Sequence, residues 1–559
     1  MWQQNYEPLA GSLGISTVAA ALPIVVLFGM LGLARKPAWV SALTALATAV
    51  IVSLAGYGMP IPLAATSVLY GAAYGLFPIA WIVFSSIMLY RLAVETGKFE
   101  IIKDSIGGLT SDRRLQAMFI AFSFGAFVEG AAGFGAPVAV SGAMLAGLGF
   151  DPFYAAGICL IANTAPVAFG SIGIPVTALA GLTGLPVLSL SGMVGRLCAM
   201  VSVFIPGYVV VVMAGRKRAL EVLPAIIACG VSFAAAQFYV SNYHGPELTD
   251  IASSLTCIVV MVIVLKVWTP PSIMRLEGDT STSGTVKRHS MAEVVSGWLP
   301  YAFLVMFVLV WGEPGVKVVI NRWTDSLLPA WIPQSETLLN GVLVPGLHNL
   351  ITRIPPVVAA PTPYAAVYEL NWLSASGTAC VLATLTTAVV LRVSPRRVVG
   401  VYAATFKQLS KPMLTIASML GLAYLMNYSG MTSTLGLALA RSGRAFPFFS
   451  ATLGWIGVFL TGSDTPANAL FGNLQVVTAN ALGINPVLTA SVNSAAGVMG
   501  KMISIQSIAV AVSATGMTLA DESRLFRFTF KHSLGLMVVM GILSMMFAYV
   551  FPGSIPPAH

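Results

Sequence analysis

The stretch ISTVAAALPIVVLFGMLGLA, residues 15–34, carries no charged side chain, and Arg35 and Lys36 follow it at once. A helix rises about 1.5 Å per residue, so this one segment covers the ~30 Å hydrocarbon core of a bilayer. Residues 251–267 and 294–311 repeat the pattern. An outer-membrane barrel would instead alternate apolar and polar residues in segments of about ten. Backbone in lipid must satisfy its own hydrogen bonds, and a helix does so within one segment. The chain-wide figures agree: over 559 residues, 57% are hydrophobic, 9% are charged and the mean hydropathy is +0.86. A soluble domain carries roughly 25% charged residues. A soluble enzyme is excluded, and an all-α polytopic membrane protein is expected.

Apolar segments bounded by charges or turn residues predict about twelve transmembrane helices. They fall at 15–34, 39–57, 65–94, 152–182, 193–214, 220–240, 251–268, 294–311, 375–391, 413–426, 486–513 and 534–551. Two further apolar stretches, 115–150 and 446–482, are interrupted and rich in glycine, and read as re-entrant hairpins. Cytoplasmic loops carry the excess of Lys and Arg. With both termini outside, the cytoplasmic face receives 22 of the 29 basic residues, in the loops around 35–36, 91–114, 216–218, 266–288, 392–411 and 524–531. Five (Lys317, Arg322, Arg353, Arg441, Arg444) fall outside. The basic residues are dispersed, so the net charge of +9 gives no nucleic-acid signal. No basic region precedes the first apolar run, so a cleaved signal peptide is not expected. The five cysteines read as small core residues, and the Ser/Thr-rich 269–290 as a linker. The segment 313–372, rich in Pro and Trp, is expected to pack over the bundle.

Two parts of the chain look alike. FVEGAAGFGAP (127–137) precedes NTAPVAFGSIGIP (163–175), and LTGSDTPANALFG (460–472) precedes NSAAGVMGKMISIQ (493–506). Asn163-Thr164 and Asn493-Ser494 each have a glycine, Gly170 or Gly500, seven positions after the Asn. In the expected topology the copies run in opposite directions, the pattern of secondary transporters whose inverted repeats place broken helices at the membrane midplane. Close packing of small residues would also favour such composition. The division expected is an N-terminal repeat half at 1–214 with hairpin 115–150, connecting helices and linker at 215–293, and an inverted half at 294–559 with hairpin 446–482.

Of the 20 acidic residues, Glu129 and Asp464 alone fall inside the interrupted segments, at corresponding places. A charge near the membrane centre costs at least ~2.5–3.5 kcal/mol on insertion scales, so a group kept there is a functional candidate. Desolvation favours the neutral carboxyl, which suits proton uptake and release. Helix capping is the competing role, notably for Asp464 between Ser463 and Thr465. Lys501 is the only lysine deep in a span, ahead of Ser504 and Gln506. A cation beside half-helix N-termini would hold a small carboxylate. A salt bridge to a buried carboxylate is the alternative. The five histidines show no metal-ligand spacing, no Ser/His/Asp arrangement stands out, and neither a metal nor another cofactor is expected beyond a coupling proton.

The motifs EGAAGFGAPVA, LIANTAPVAFGSIGIPV, NYSGM, FLTGSDTPANALFG and GKMISIQSIAVA, in this order along the whole chain, resemble the lactate permease family. Members of that family carry L-lactate, D-lactate and glycolate. The resemblance implies proton-coupled uptake of 2-hydroxy monocarboxylates across a bacterial inner membrane, with an architecture like that of the ion-transporter superfamily. Two departures stand out: Pro466-Ala467 where the family pattern has two serines, and Ile505 where it has proline. The helix break before Ile505 is therefore expected to rest on Gly500 and its neighbours. On this reading Asn163, Thr164, Ser463, Thr465, Asn493, Ser494, Lys501, Ser504 and Gln506 contact the substrate, while Glu129 or Asp464 takes the proton. Sodium coupling and a substrate-gated channel or sensor are the alternatives. The expected partners are the carboxylate anion and membrane lipid, with the oligomeric state open.

Overall fold

The computed structural model describes residues 1–133, 135–275, 289–329, 332–335, 340–518 and 521–558. Phe134 of the first motif, most of the linker expected at 269–290 and parts of the 313–372 segment lie outside the described residues. Among those described, ten helices are long and apolar enough to cross a bilayer. They are Leu13–Leu33, Ala38–Gly56, Ile61–Glu95, Val187–Ala214, Leu223–Tyr243, Thr249–Val267, Met291–Gly312, Pro395–Ser429, Pro486–Thr515 and Glu522–Tyr549. The protein is an all-α polytopic membrane protein.

Beside the second broken helix described below, two of the twelve expected spans differ from straight, full-length rods. The span expected at 152–182 is a pair of helices, Pro152–Ala162 and Val167–Thr183, bent by 63°, which makes an eleventh crossing if counted as one. The other, Ser376–Val390, has 15 residues and so reaches only about 22 Å. The helix expected from 413 in fact starts at Pro395. Its first turns carry Arg396, Arg397, Lys407 and Lys411, and these charges hide an otherwise continuous helix from a hydropathy reading.

Both interrupted segments are helix–break–helix hairpins. The first runs from Arg113 through helix Gly125–Ala131, breaks, and returns through Ala136–Gly147. Its two ends meet: the Arg113 guanidinium lies 5.5 Å from the Phe150 ring centroid. The neighbouring Arg114 is fully buried and anchors this end, with Asp112 Oδ2 at 2.7 Å, Glu221 Oε2 at 2.8 Å and donations to the Arg218 and Ser272 carbonyls. The second hairpin pairs Phe446–Thr461 with Asp464–Leu482.

Each hairpin is followed by a broken helix. In the first, Ser171, Ile172 and Gly173 adopt left-handed backbone. The carbonyls freed nearby are satisfied by side chains from other helices, as lipid-embedded irregular backbone requires: Gln237 donates to Ala165 at 3.0 Å and Asn468 to Pro175 at 3.1 Å. In the second, Pro486–Lys501 and Ile505–Thr515 are separated by Met502–Ser504. The break thus falls after Gly500, which lies within the helix. It is held by Ser504, whose extended backbone and hydroxyl cap the following helix at Ser507 N. Gly500 has a different reason to be glycine, since a Cβ there would stand 2.2 Å from the Trp455 carbonyl oxygen of hairpin 2. The start of the first broken helix, Pro152–Ala162, packs against the end of the second, Ile505–Thr515. Ser491, near the start of the second, donates to the Leu190 carbonyl in the helix that follows the first, Val187–Ser202.

The described part of the 313–372 segment packs over one end of the bundle. Tyr70, Tyr428 and Tyr368 donate to the carbonyls of Val367, Ala365 and Phe77, at 2.7, 2.8 and 2.8 Å. Short strands of two or three residues tie it together, and Trp2–Gln3 joins them in parallel beside Ile351. All five cysteines are buried.

Candidate functional site

The tips of the hairpins and the breaks of the two long helices converge on one cavity of about 220 Å³. Exposed Ala38, Lys411 and Gln506 lie at its mouth. Buried Glu129, Asp464 and Lys501 line its interior, with Ser463, Thr465 and Ser171 on its walls. Hairpin 1 supplies Glu129 from the last turn of its ascending helix. Asp464 opens the descending helix of hairpin 2, and Lys501 ends the first half of the second broken helix.

Lys501 Nζ donates to Glu129 Oε1 at 2.8 Å, joining residues 372 positions apart. Glu129 Oε2 has no hydrogen-bond partner among the described residues. Asp464 Oδ2 accepts from Ser494 Oγ at 2.5 Å and from Asn468 Nδ2 at 3.4 Å, while Oδ1 has no partner among the described residues. The interior thus holds one ion pair and a second carboxyl held by neutral donors. A buried ion pair is strongly destabilised by losing one member, because the other charge is then left without solvent or partner.

The residues expected to bind substrate separate into layers. Ser463, Thr465, Gln506 and Lys501 line the cavity. Asn163 and Thr164 lie outside that lining, around a narrow crevice on another side of Lys501. The Asn163 Oδ1 atom has no partner there among the described residues, and Thr164 donates to the Ile161 carbonyl. Asn493 and Ser494 stand behind Asp464: Asn493 donates to Asn468 Oδ1 at 2.9 Å and accepts from Gln475 at 3.1 Å. Ser504 is occupied as a helix cap.

Sequence reasoning missed two buried polar residues beside the site. Asn468 links the Asp464 carboxyl to the first broken helix through the Pro175 carbonyl. Asp250, at the edge of an expected span, is as deeply buried as Glu129, at 1% and 2% exposure. Its place at a helix end gave it the look of a loop residue. The opposite side of the bundle is closed by tyrosines: Tyr70 packs edge-on against Tyr424 with centroids 4.7 Å apart, and Tyr364 lies 4.4 Å from Tyr428.

The pattern of the L-lactate permease family matches residues 16–551. The L-lactate permease of Bacillus subtilis (strain 168) is 46% identical over 567 residues, covering 99% of this chain and 100% of that protein. The glycolate permease GlcA of Escherichia coli (strain K12) is 43% identical over 566 residues, covering 99% of each. The crystal structure of the Alcanivorax borkumensis YdaH transporter aligns over 88% of this chain and 89% of that one, at 15% identity and a TM-score of 0.45.

Proposed function

Since the chain belongs to the L-lactate permease family, and so is a transporter and not an enzyme, we propose that it carries small 2-hydroxy monocarboxylates, lactate or glycolate, together with a proton. The observation that carries this reading is the Lys501–Glu129 pair inside a cavity of about 220 Å³, which has room for a three-carbon acid. The substrate carboxylate takes the place of Glu129 at the Lys501 ammonium. Glu129 is then left as an unpaired buried charge, a costly state that a proton removes. One anion therefore enters with one proton, and the loaded site keeps the charge of the empty one. Ser463, Thr465 and Gln506 are placed to meet the 2-hydroxyl from the cavity walls. Asp464, whose Oδ1 has no partner among the described residues, is a second place for a proton.

The mirrored hairpins and the two broken helices support an inverted repeat that exposes the site to one side at a time. With both termini outside, as the Lys and Arg distribution favours, the cavity mouth at Ala38 and Lys411 faces the cytoplasm of a bacterial inner membrane, and the tyrosines close the outer side. Labelled lactate and glycolate uptake into vesicles tests the reading. An inward pH gradient alone should drive accumulation in the wild type and fail to in Glu129→Gln. Accumulation driven by sodium and indifferent to pH would overturn it. Equilibration without accumulation would make the protein a channel.

A further inference from the structure

We propose that Asp250, with Glu247 one turn before it, forms a proton route from the face closed by the tyrosines to Glu129, separate from the cavity that admits the anion. The inference rests on the proton-coupled reading above and names how the proton reaches that same site. Asp250 is the second residue of helix Thr249–Val267 and is 1% exposed. Neither of its carboxyl oxygens has a hydrogen-bond partner among the described residues. An isolated ionised carboxylate in such a place is expensive, a cost absent while it carries a proton. It does not line the anion cavity.

Hairpin 1 presses directly on it. A Cβ added to Gly130, the residue after Glu129, would stand 2.7 Å from the Asp250 Cβ. The charges of Glu129 and Lys501 both act on Asp250, and Asp250 acts in turn on the Cys198 thiol of helix Val187–Ser202. On its own loop, Glu247 lies three residues earlier and is half-buried. Glu247 Oε1 accepts from Ser376 Oγ at 3.5 Å, at the start of Ser376–Val390, and the Lys317 charge also reaches it. Burial pushes the Glu247 carboxyl above the usual range, against the opposing pull of Lys317 and Ser376. Glu247, Asp250 and Glu129 thus lead inward from the loop at 244–248 to the Lys501 pair.

The transfers balance. When the anion displaces Glu129 from Lys501, the O–H bond of Asp250 breaks, a bridging water accepts that proton and gives up one of its own, and an O–H bond forms on the Glu129 carboxylate. Glu247 then passes its proton to the Asp250 carboxylate and is reprotonated by hydronium from the external solution. No charge is created beyond the anion and proton that enter together.

The test uses the purified full chain in proteoliposomes and two assays: lactate accumulation driven by a pH gradient, and lactate–lactate exchange at equal pH. Exchange returns the carrier loaded, so no proton needs to leave. Asp250→Asn should lower driven accumulation by about tenfold or more while exchange stays within about twofold of wild type. Glu247→Gln should lower the driven rate at alkaline external pH and leave exchange intact. Wild-type accumulation in Asp250→Asn overturns the route and leaves proton coupling standing. Loss of both activities in folded Asp250→Asn overturns it too, by placing Asp250 in the anion site. If Asp250→Asn does not fold, an unchanged external pH profile in Glu247→Gln overturns it. Absence of pH-driven accumulation in the wild type removes the coupling itself, and the route with it.

Discussion

Lys501 Nζ and Glu129 Oε1 lie 2.8 Å apart, one at the break of the second long helix and the other at the tip of the first hairpin. At 7% and 2% exposure, both are largely withdrawn from solvent. The pair is therefore a bond between the two halves of the chain and the place where an incoming anion must compete.

Its removal from one side leaves a buried charge, which costs about 3–5 kcal/mol. Lys501→Met should lower the unfolding temperature in detergent and abolish uptake. The double variant Lys501→Met/Glu129→Gln should regain much of the stability and none of the uptake. A double variant no more stable than the single would show that the two groups are not coupled.

Ser494 donates to Asp464 at 2.5 Å, and a hydrogen bond of this kind contributes about 0.5–1.5 kcal/mol. Ser494→Ala should reduce uptake by about tenfold, mainly through the maximal rate, because Ser494 stands behind the cavity wall. A change confined to KM would place Ser494 against the substrate instead.

The five native cysteines are buried, so the wild type should resist membrane-impermeant thiol reagents. Gln506→Cys, at the mouth, should react readily and be protected by lactate, whereas Asn493→Cys should not react. Labelling of both positions at equal rates would contradict the layered site.

Gly500→Ala would place a methyl 2.2 Å from the Trp455 carbonyl oxygen, so the helix must move. Overpacking of this kind costs about 1–3 kcal/mol, and more where backbone is the obstacle. Gly535→Ala has nothing within 4 Å and should stabilise its helix by about 0.5–1 kcal/mol. The two thermal shifts should have opposite signs.

At the far end of hairpin 1, Ser272 and then Arg114 hold the Glu221 carboxyl below its usual value of 4.5. A depressed folded value means the stabilisation is complete above that pH and is lost as pH falls through the lower one. Glu221→Gln should therefore weaken acid resistance only near and above pH 4.5, and the variant and wild type should converge in stronger acid. Unfolding midpoints against pH check this.

Hydropathy located nearly every span because lipid leaves the backbone no other partner. The helix whose start it misjudged had composition against it: the charged first turns of Pro395–Ser429. Glu129, Asp464 and Lys501 were legible as site residues because their charges interrupt otherwise apolar segments. Asp250 was not, since a carboxyl at a span end looks solvated in one dimension. Its burial comes from hairpin 1 lying against it.

The sequence by itself determined a helical membrane protein, two interrupted hairpins and three charges that lipid cannot accommodate, because each follows from local composition and spacing. Only the tertiary structure decided which of these charges touch. A pairing across 372 positions depends on how broken helices cross, and that geometry is set by packed side chains such as Asn468 and Gln237 binding freed carbonyls far along the chain.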